Sequence, residues 1–275
     1  MKRSLVFFFL VGCLVPVCQS NKHCTIENTT FVAGETLNYQ LYYNLSFVWI
    51  PAGTCEFSVR NTSWANKPVY QLMIQGKSLK SFDSFFKVRD TLVSYVDKDR
   101  LVPYKAFKLA HEDKWHGIDE FTFSEESGGW NVTTRLKRKK LWKAPVENWT
   151  AQCGFDLVTS LYRLRCMTDE TFYEVGKRRQ IPVRLDDDEY FIYLTYKGKE
   201  RIKLYGGGSY VAHAFTLSMI EGQVFKRGDV LKMWISDDGN KIPLLVESPI
   251  RVGAVKAVFR SAQSTLYPLQ KGLSK

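Results

Sequence analysis

The sequence predicts a mostly β protein: a strongly curved antiparallel sheet or partly open barrel, with one short helix packed on it. Three observations carry this. From Leu37 onward apolar and polar residues alternate with period two, the alternating positions are rich in Tyr, Phe, Trp and β-branched residues, and Gly, Asn and Asp punctuate the runs at short intervals. Helical spacing is confined to one segment.

Taken in order, the predicted strands are 37–45, 54–60, 69–75, 86–96, 101–110, 118–123 and 130–136, then 190–196, 201–205, 210–219, 230–235, 242–247 and 254–260. The helix falls between the two groups, over 155–165. There Leu157, Leu161 and Leu164 recur at i, i+4 and i+7, which predicts that they face the sheet, and Asp156 is placed to cap the N-terminus or complement its dipole. The two groups of strands echo each other at one constant offset. Tyr70 matches Tyr210, Phe85 matches Phe225, Asp97 matches Asp237 and Pro103 matches Pro243, which suggests a duplicated meander.

Ahead of this domain, Lys2 and Arg3 precede an uncharged, apolar run from Leu5 to Val17 that ends at Cys18, Gln19 and Ser20. Those are the parts of a secretory signal peptide over 1–20, leaving a single β domain over 21–275. The run is shorter than the roughly 20 residues a membrane-spanning helix needs, and no later segment could span, so the mature chain carries no transmembrane segment. A lipobox-like stretch ending at Cys13 offers the alternative of a lipoprotein, but the apolar residues that follow argue for cleavage after Ser20. Of the formal charge of +11, two positive charges leave with the leader. Much of the remainder is concentrated in Arg135, Lys137, Arg138, Lys139, Lys140 and Lys143. An exported protein does not meet nucleic acid, so the run points to anionic lipid headgroups, cell-wall polymers or an envelope protein, or else to a solvated edge strand whose lysines block edge-to-edge pairing.

Cys24, Cys55, Cys153 and Cys166 survive cleavage. An even number in an oxidising compartment predicts two disulfides, the alternative being that some of these thiols are buried and free. A helix between Cys153 and Cys166 would hold them beyond the roughly 7 Å bridging limit, so the bridges are expected to connect the two halves of the chain.

Several segments resemble the bacterial domain-of-unknown-function family numbered 3108. The carrying residues are FVAGETLNY over 31–39, with Gly34, Glu35 and Tyr39; Gly53 after Ala52; FKVRD over 86–90, with Asp90; Asp156, Tyr162 and Arg165 of the helix segment; Gly198 and Glu200 around Lys199; WISDDGNKIP over 234–243, with Trp234, Asp237, Asp238 and Pro243; and Gly253 at the head of GAVKA. The resemblance spans nearly the whole mature chain and implies a periplasmic or outer-membrane-associated protein of a Gram-negative bacterium, without implying an activity. At fold level the pattern is also similar to the LolA/LolB-type lipoprotein carriers, curved sheets around a helical plug that hold acyl chains. Five N-x-S/T sequons, at Asn28, Asn44, Asn61, Asn131 and Asn148, would carry glycans in a eukaryotic secreted protein; the bacterial resemblance implies that they are unmodified.

Catalytic patterns fail on spacing. In HEDKWH over 111–116 the histidines stand five apart, not the four that one helical face requires. His23 and His213 are isolated. The acidic runs at 186–188 and 237–240 lack the spacing of a calcium loop, Gly206 to Gly208 opens no helix, and no nucleophile elbow is present, so no metal or cofactor is expected. The residues therefore favour a non-enzymatic envelope protein holding a hydrophobic or amphipathic ligand, for example a lipid. An envelope assembly factor docking on proteins or anionic glycans is the alternative, and an unrecognised hydrolase the third reading.

Overall fold

The computed structural model describes residues 24–45, 48–167, 169–219, 230–250 and 253–270, so the leader and Cys13 lie outside the described residues. Fifteen strands form one antiparallel sheet. The first group is β1 (Thr36–Leu45), β2 (Val48–Trp64), β3 (Lys67–Ser78), β4 (Arg89–Asp97), β5 (Pro103–Glu112), β6 (Trp115–Glu126), β7 (Gly129–Arg138), β8 (Leu141–Trp142) and β9 (Val146–Thr150). Helix α1 (Leu157–Arg165) and a 3-10 turn over Glu170–Tyr173 follow. The second group is β10 (Arg178–Leu185), β11 (Asp188–Lys203), β12 (Ser209–Met219), β13 (Val230–Ser236), β14 (Pro243–Pro249) and β15 (Ala254–Gln263). Neighbours run from β10 through β15, then β1 through β8, with β9 also paired to β7, and the sheet does not close into a barrel.

The repeat is visible in this order. At the offset that separates Tyr70 from Tyr210, β1 to β6 fall in turn on β10 to β15, so the sheet is two six-stranded meanders joined where β15 pairs with β1, with β7, β8 and β9 added beyond β6. The matching prolines do the same job in each copy. Val96 faces Pro103 and Ile235 faces Pro243, both across a register shift, because a proline has no N–H to give the ladder. The residue two before each proline, Leu101 and Lys241, has φ of 48° and 49°.

The predicted strands 190–196 and 201–205 are one strand. Gly198, at φ 111°, makes a bulge between them without breaking the pairing with β12. The run predicted from Phe86 begins at Arg89, and β8, β9 and β10 were not anticipated.

Helix α1 sits inside the curve of the sheet. Asp156 caps it, accepting from the backbone N–H groups of Val158 and Thr159 at 2.9 and 3.1 Å, and from the hydroxyls of Thr159 and Ser94. The expected apolar face packs as predicted at Leu161 and Leu164, but it is wider than the leucine spacing: Val158 and Tyr162 also pack, on Phe31, Val59, Leu72 and Val96 of the first meander, and Leu157 is only half-buried. Leu164 packs on Leu194, Phe215 and Met233 of the second. A helix enclosed on most sides has no single apolar stripe, and Thr159, Ser160, Arg163 and Arg165 are buried on it alongside the apolar residues. α1 and the side chains of Phe31, Tyr162, Phe172 and Phe215 occupy the curve of the sheet, where the carrier likeness implied a ligand.

The two-disulfide expectation is corrected. Cys24 bridges Cys153, joining chain segments 129 residues apart, and Cys55 and Cys166 are free. Loop closure of that length stabilises by roughly 4–5 kcal/mol on the chain-entropy model. Cys166 ends α1 with its Sγ 3.3 Å from Thr30 Oγ1, and Cys55 lies on β2 against the same apolar cluster. Burial pushes the Cys55 thiol up to about 12 and raises that of Cys166, which keeps both as unreactive thiols. The mature chain, denatured without reductant, should therefore titrate two free thiols in a colorimetric assay; none would restore the second bridge, and four would remove the first.

Candidate functional site

The unclosed sheet leaves a seam between β10 and the β7–β9 edge. One end of it is clipped. Arg184 N–H donates to Phe155 O at 2.7 Å, Arg138 Nη2 lies 3.1 Å from Asp186 Oδ1, and Asn148 Nδ2 donates to Asp187 O at 3.2 Å. Beside these ties a cleft of about 390 Å³ opens between α1, the Cys24–Cys153 bridge and the Gln180, Ile181 and Pro182 stretch of β10. That volume falls within the range of small-molecule sites.

Phe155, Met167, Ile181 and Pro182 make the cleft apolar, and two side chains of α1 give it a polar end. Arg163 is buried with its guanidinium 4.1 Å from the Phe155 ring centre, and Nη1 donates to the carbonyls of Arg100 and Leu101 at 3.2 and 2.9 Å. Among the described residues no carboxylate pairs with it. Burial drives its pKa down to about 10, leaving the group charged at neutral pH. Ser160 lines the same cleft with a buried hydroxyl that has no partner among the described residues. A cation without a counter-charge and an orphan hydroxyl, both facing apolar surface, suit an anionic head on an apolar body. Of the singled-out residues only Cys24 and Cys153 line this cleft. Arg163, Ser160, Met167 and Ile181 were missed, and the signal that could have found them is an arginine within the one predicted helix, with no acid at the i±3 or i±4 positions.

The motif residues gather elsewhere. Glu35 and Arg165 form a fully buried, bidentate ion pair at 2.6 and 2.8 Å, and Arg165 also donates to Asn240 O in the 234–243 motif and to Thr30 O. Tyr39 and Tyr162 adjoin this pair, and burial raises both phenols. Trp234 Nε1 donates to Glu200 across β11–β13 beside Gly198, and those three line a shallow cleft of about 190 Å³. Asp238 accepts from Ser236 Oγ and Asn240 N–H, which shapes the turn before Pro243. Asp90 accepts from the His111 N–H at 2.9 Å. Gly34 turns into β1 at φ 101°, Gly53 lets Lys77 O approach where a Cβ would stand 2.6 Å away, and Gly253 likewise admits Asn44 O.

The basic run is not one free patch. Arg138 bonds the buried Asp119 as well as Asp186, Arg135 and Lys137 lie over the Trp142 ring at 4.7 and 5.8 Å, and Lys139, Lys140 and Lys143 remain exposed on the β7–β8 edge and beyond. That is the protected-edge reading, with Arg138 a structural tie. His111 and His116 face each other across the β5–β6 hairpin, and no group of described residues is arranged to hold a metal. The runs at 186–188 and 237–240 include the expected turns. The Asn28 amide is committed to Phe31 O and to the Thr30 and Phe31 N–H groups.

The chain matches the family described as "Protein of unknown function (DUF3108)" over residues 38–260, and it belongs to that family. No curated protein matches it. Among solved structures it is similar to a β-barrel-like protein of the unknown-function family DUF1849 from Brucella abortus, at 10% identity and a TM-score of 0.55, covering 86% of this chain and 98% of that one. At that identity the likeness shows the fold alone.

One buried titratable group stands apart from the seam. His213 has Nδ1 3.1 Å from Tyr196 Oη and Nε2 2.7 Å from Asp237 Oδ1, under the Tyr173 ring at 4.3 Å. The Tyr173 and Tyr196 rings pack around it, and the Asp237 end of this Tyr–His–Asp chain opens toward Lys199. Burial, assisted by Lys241 and Lys199 against the pull of Asp237, lowers its pKa from 6.5 to about 4. The native chain therefore binds fewer protons here than the unfolded chain, and the stability from neutral His213 is complete above about pH 6.5 and lost as pH falls toward 4. The His213 ring signals should titrate by NMR with a midpoint about 4, and a midpoint near 6.5 would contradict this burial.

Proposed function

We propose that this member of the family is an exported, non-enzymatic envelope protein that holds an anionic amphipathic molecule, of the fatty-acid or acidic-lipid class, in the seam cleft. The observation that carries the reading is Arg163: a buried cation with no carboxylate partner among the described residues, at the edge of an apolar cleft of about 390 Å³. Phe155, Met167, Ile181 and Pro182 would cover the apolar body, while Arg163 and Ser160 would take the head. No pairing of nucleophile and base lines the cleft, which supports a binder over a hydrolase. The apolar leader over 1–20 and the Cys24–Cys153 bridge support export to the periplasm or the outer-membrane periphery. The carrier-like use of the fold is thus moved from a central concavity to the seam.

The test is titration of the mature protein with a fluorescent fatty acid and with its methyl ester. The acid should bind at one site, the ester at least about tenfold more weakly, since it cannot pair with Arg163, and Met167→Trp should block both by filling the cleft. Equal binding of acid and ester would remove Arg163 from the account, and no uptake of either would sink the proposal.

A further inference from the structure

The segment between β3 and β4 is a loop, and by composition it ought to be polar, yet it carries Leu79, Phe82, Phe85 and Phe86. It is also firmly built. Phe82 and Asp83 N–H donate to Leu79 O at 2.8 and 3.0 Å, and Phe85 and Phe86 N–H donate to Phe82 O at 2.9 and 3.0 Å, giving two successive tight turns. Leu79 N–H fastens the loop to Ala52 O of β2 at 2.8 Å. The Asp83 carboxylate is gripped by Arg89, at 2.6 Å from Nη2, and by the Ser78 hydroxyl, while the same guanidinium donates to Ser78 O and Val88 O. Phe82 turns inward onto the Tyr43 ring at 6.0 Å, and Phe85 packs edge-on to it at 5.3 Å.

What this scaffold holds out is apolar. Phe85 is 68% exposed and Phe86 43%, on a loop whose backbone is pinned at both ends. The neighbouring β1–β2 hairpin, reached through the contact of Tyr43 with Phe85 at 6.2 Å, ends in Val48 at 61% exposure. Gly253, in the β14–β15 turn, abuts Asn44 O of β1, which places Ile250 of that turn at the same end of the sheet. The loop itself is cationic, and the acids next to Lys87, Glu112 and Asp113, belong to the facing β5–β6 hairpin, where exposed Lys114 adjoins them. Lys77, Lys80 and Lys87 are exposed, and the loop's acid, Asp83, is consumed by Arg89. Exposed rings on a rigid loop, flanked by ammonium groups and with the acid neutralised, match a bilayer interface: rings enter the boundary between headgroups and acyl chains, and lysines meet phosphates.

We propose that the rim formed by Phe85, Phe86 and Val48, with Lys77, Lys80 and Lys87, docks the protein on the surface of an anionic phospholipid bilayer. It uses none of the seam residues, so it stands or falls apart from the cleft. No helix among the described residues is long and apolar enough to cross a membrane, and the contact is interfacial.

Co-sedimentation of the mature protein with phosphatidylglycerol–phosphatidylcholine vesicles, against pure phosphatidylcholine, tests it. The protein should be retained on the acidic vesicles, with retention weakening as salt rises. Phe85→Ser/Phe86→Ser should lose at least about tenfold in partitioning with only a small drop in melting temperature, because the rings are 68% and 43% exposed. Lys80→Glu/Lys87→Glu should abolish the salt-sensitive part, and Phe85→Trp should report insertion by a blue shift in emission. Leu141→Ser, which removes an apolar side chain 79% exposed on β8, should change nothing. Failure of the unmodified protein to bind acidic vesicles would overturn the proposal and assign the rim to a protein partner. Full retention by the double Phe variant, or an equal loss in Leu141→Ser, would overturn it as well.

Discussion

A single buried guanidinium holds the two halves of this protein around their helix. Arg165 is the last residue of α1, and its donors reach Glu35 at the head of β1, Thr30 in the N-terminal segment and Asn240 between β13 and β14. Three separate pieces of chain therefore meet at one planar group: the 30–35 segment, the end of α1 and the turn before β14. Desolvation works against the charge, but Glu35 outweighs it and the pKa of Arg165 is raised. Two opposite charges in a dry interior are not stabilising by themselves, since the cost of removing them from water nearly cancels their attraction. Losing one partner is a different matter and costs about 3–5 kcal/mol, because the other is left buried and unpaired. The pair thus specifies where the helix sits more than it adds to stability.

That constraint explains how a duplicated sheet acquires a site. The two meanders join at β15 and β1, and a perfect continuation would pair β10 with the far edge and close a barrel. The connection between the halves carries the helix instead, and the helix occupies the interior with Tyr162 turned to one meander and Leu164 to the other. The seam is then held by a few local ties and by the Cys24–Cys153 bridge, and the remaining gap is the cleft where Arg163, two residues before Arg165, meets apolar surface. On one short helix, alternate arginines have different surroundings: Arg165 is neutralised by Glu35, and Arg163 bonds backbone carbonyls at the cleft, with no carboxylate partner among the described residues.

Much of the fold was legible because a half-buried strand writes its geometry directly into period-two alternation. The repeat was legible for a related reason, since Pro103 and Pro243 each mark the same irregularity in the ladder. Strand β10 was not, because RRQIPVRL mixes three arginines and a proline in a way that reads as loop; it survives as an edge strand, where Arg184 is buried beside Glu189 and Pro182 is tolerated. The face of α1 was read too narrowly because hydrophobic spacing cannot register buried arginines whose partners lie 130 residues away along the chain, as Glu35 does for Arg165. The pairing of the cysteines was beyond sequence in the same way, and so was the cleft, whose lining comes from the N-terminal segment, the stretch before α1, the helix and β10. The motif residues marked the helix lock and the turns that support it, not the seam cleft.

The most direct test of this account is a double-mutant cycle between Glu35→Gln and Arg165→Met, read by urea denaturation and by amide exchange in α1. Each single substitution should destabilise by about 3–5 kcal/mol and expose the helix amides to faster exchange, and the double substitution should recover a large part of the sum. Additive losses, with α1 still protected in both single variants, would mean that the helix is held by apolar packing alone and that the Arg165–Glu35 pair is not what positions it.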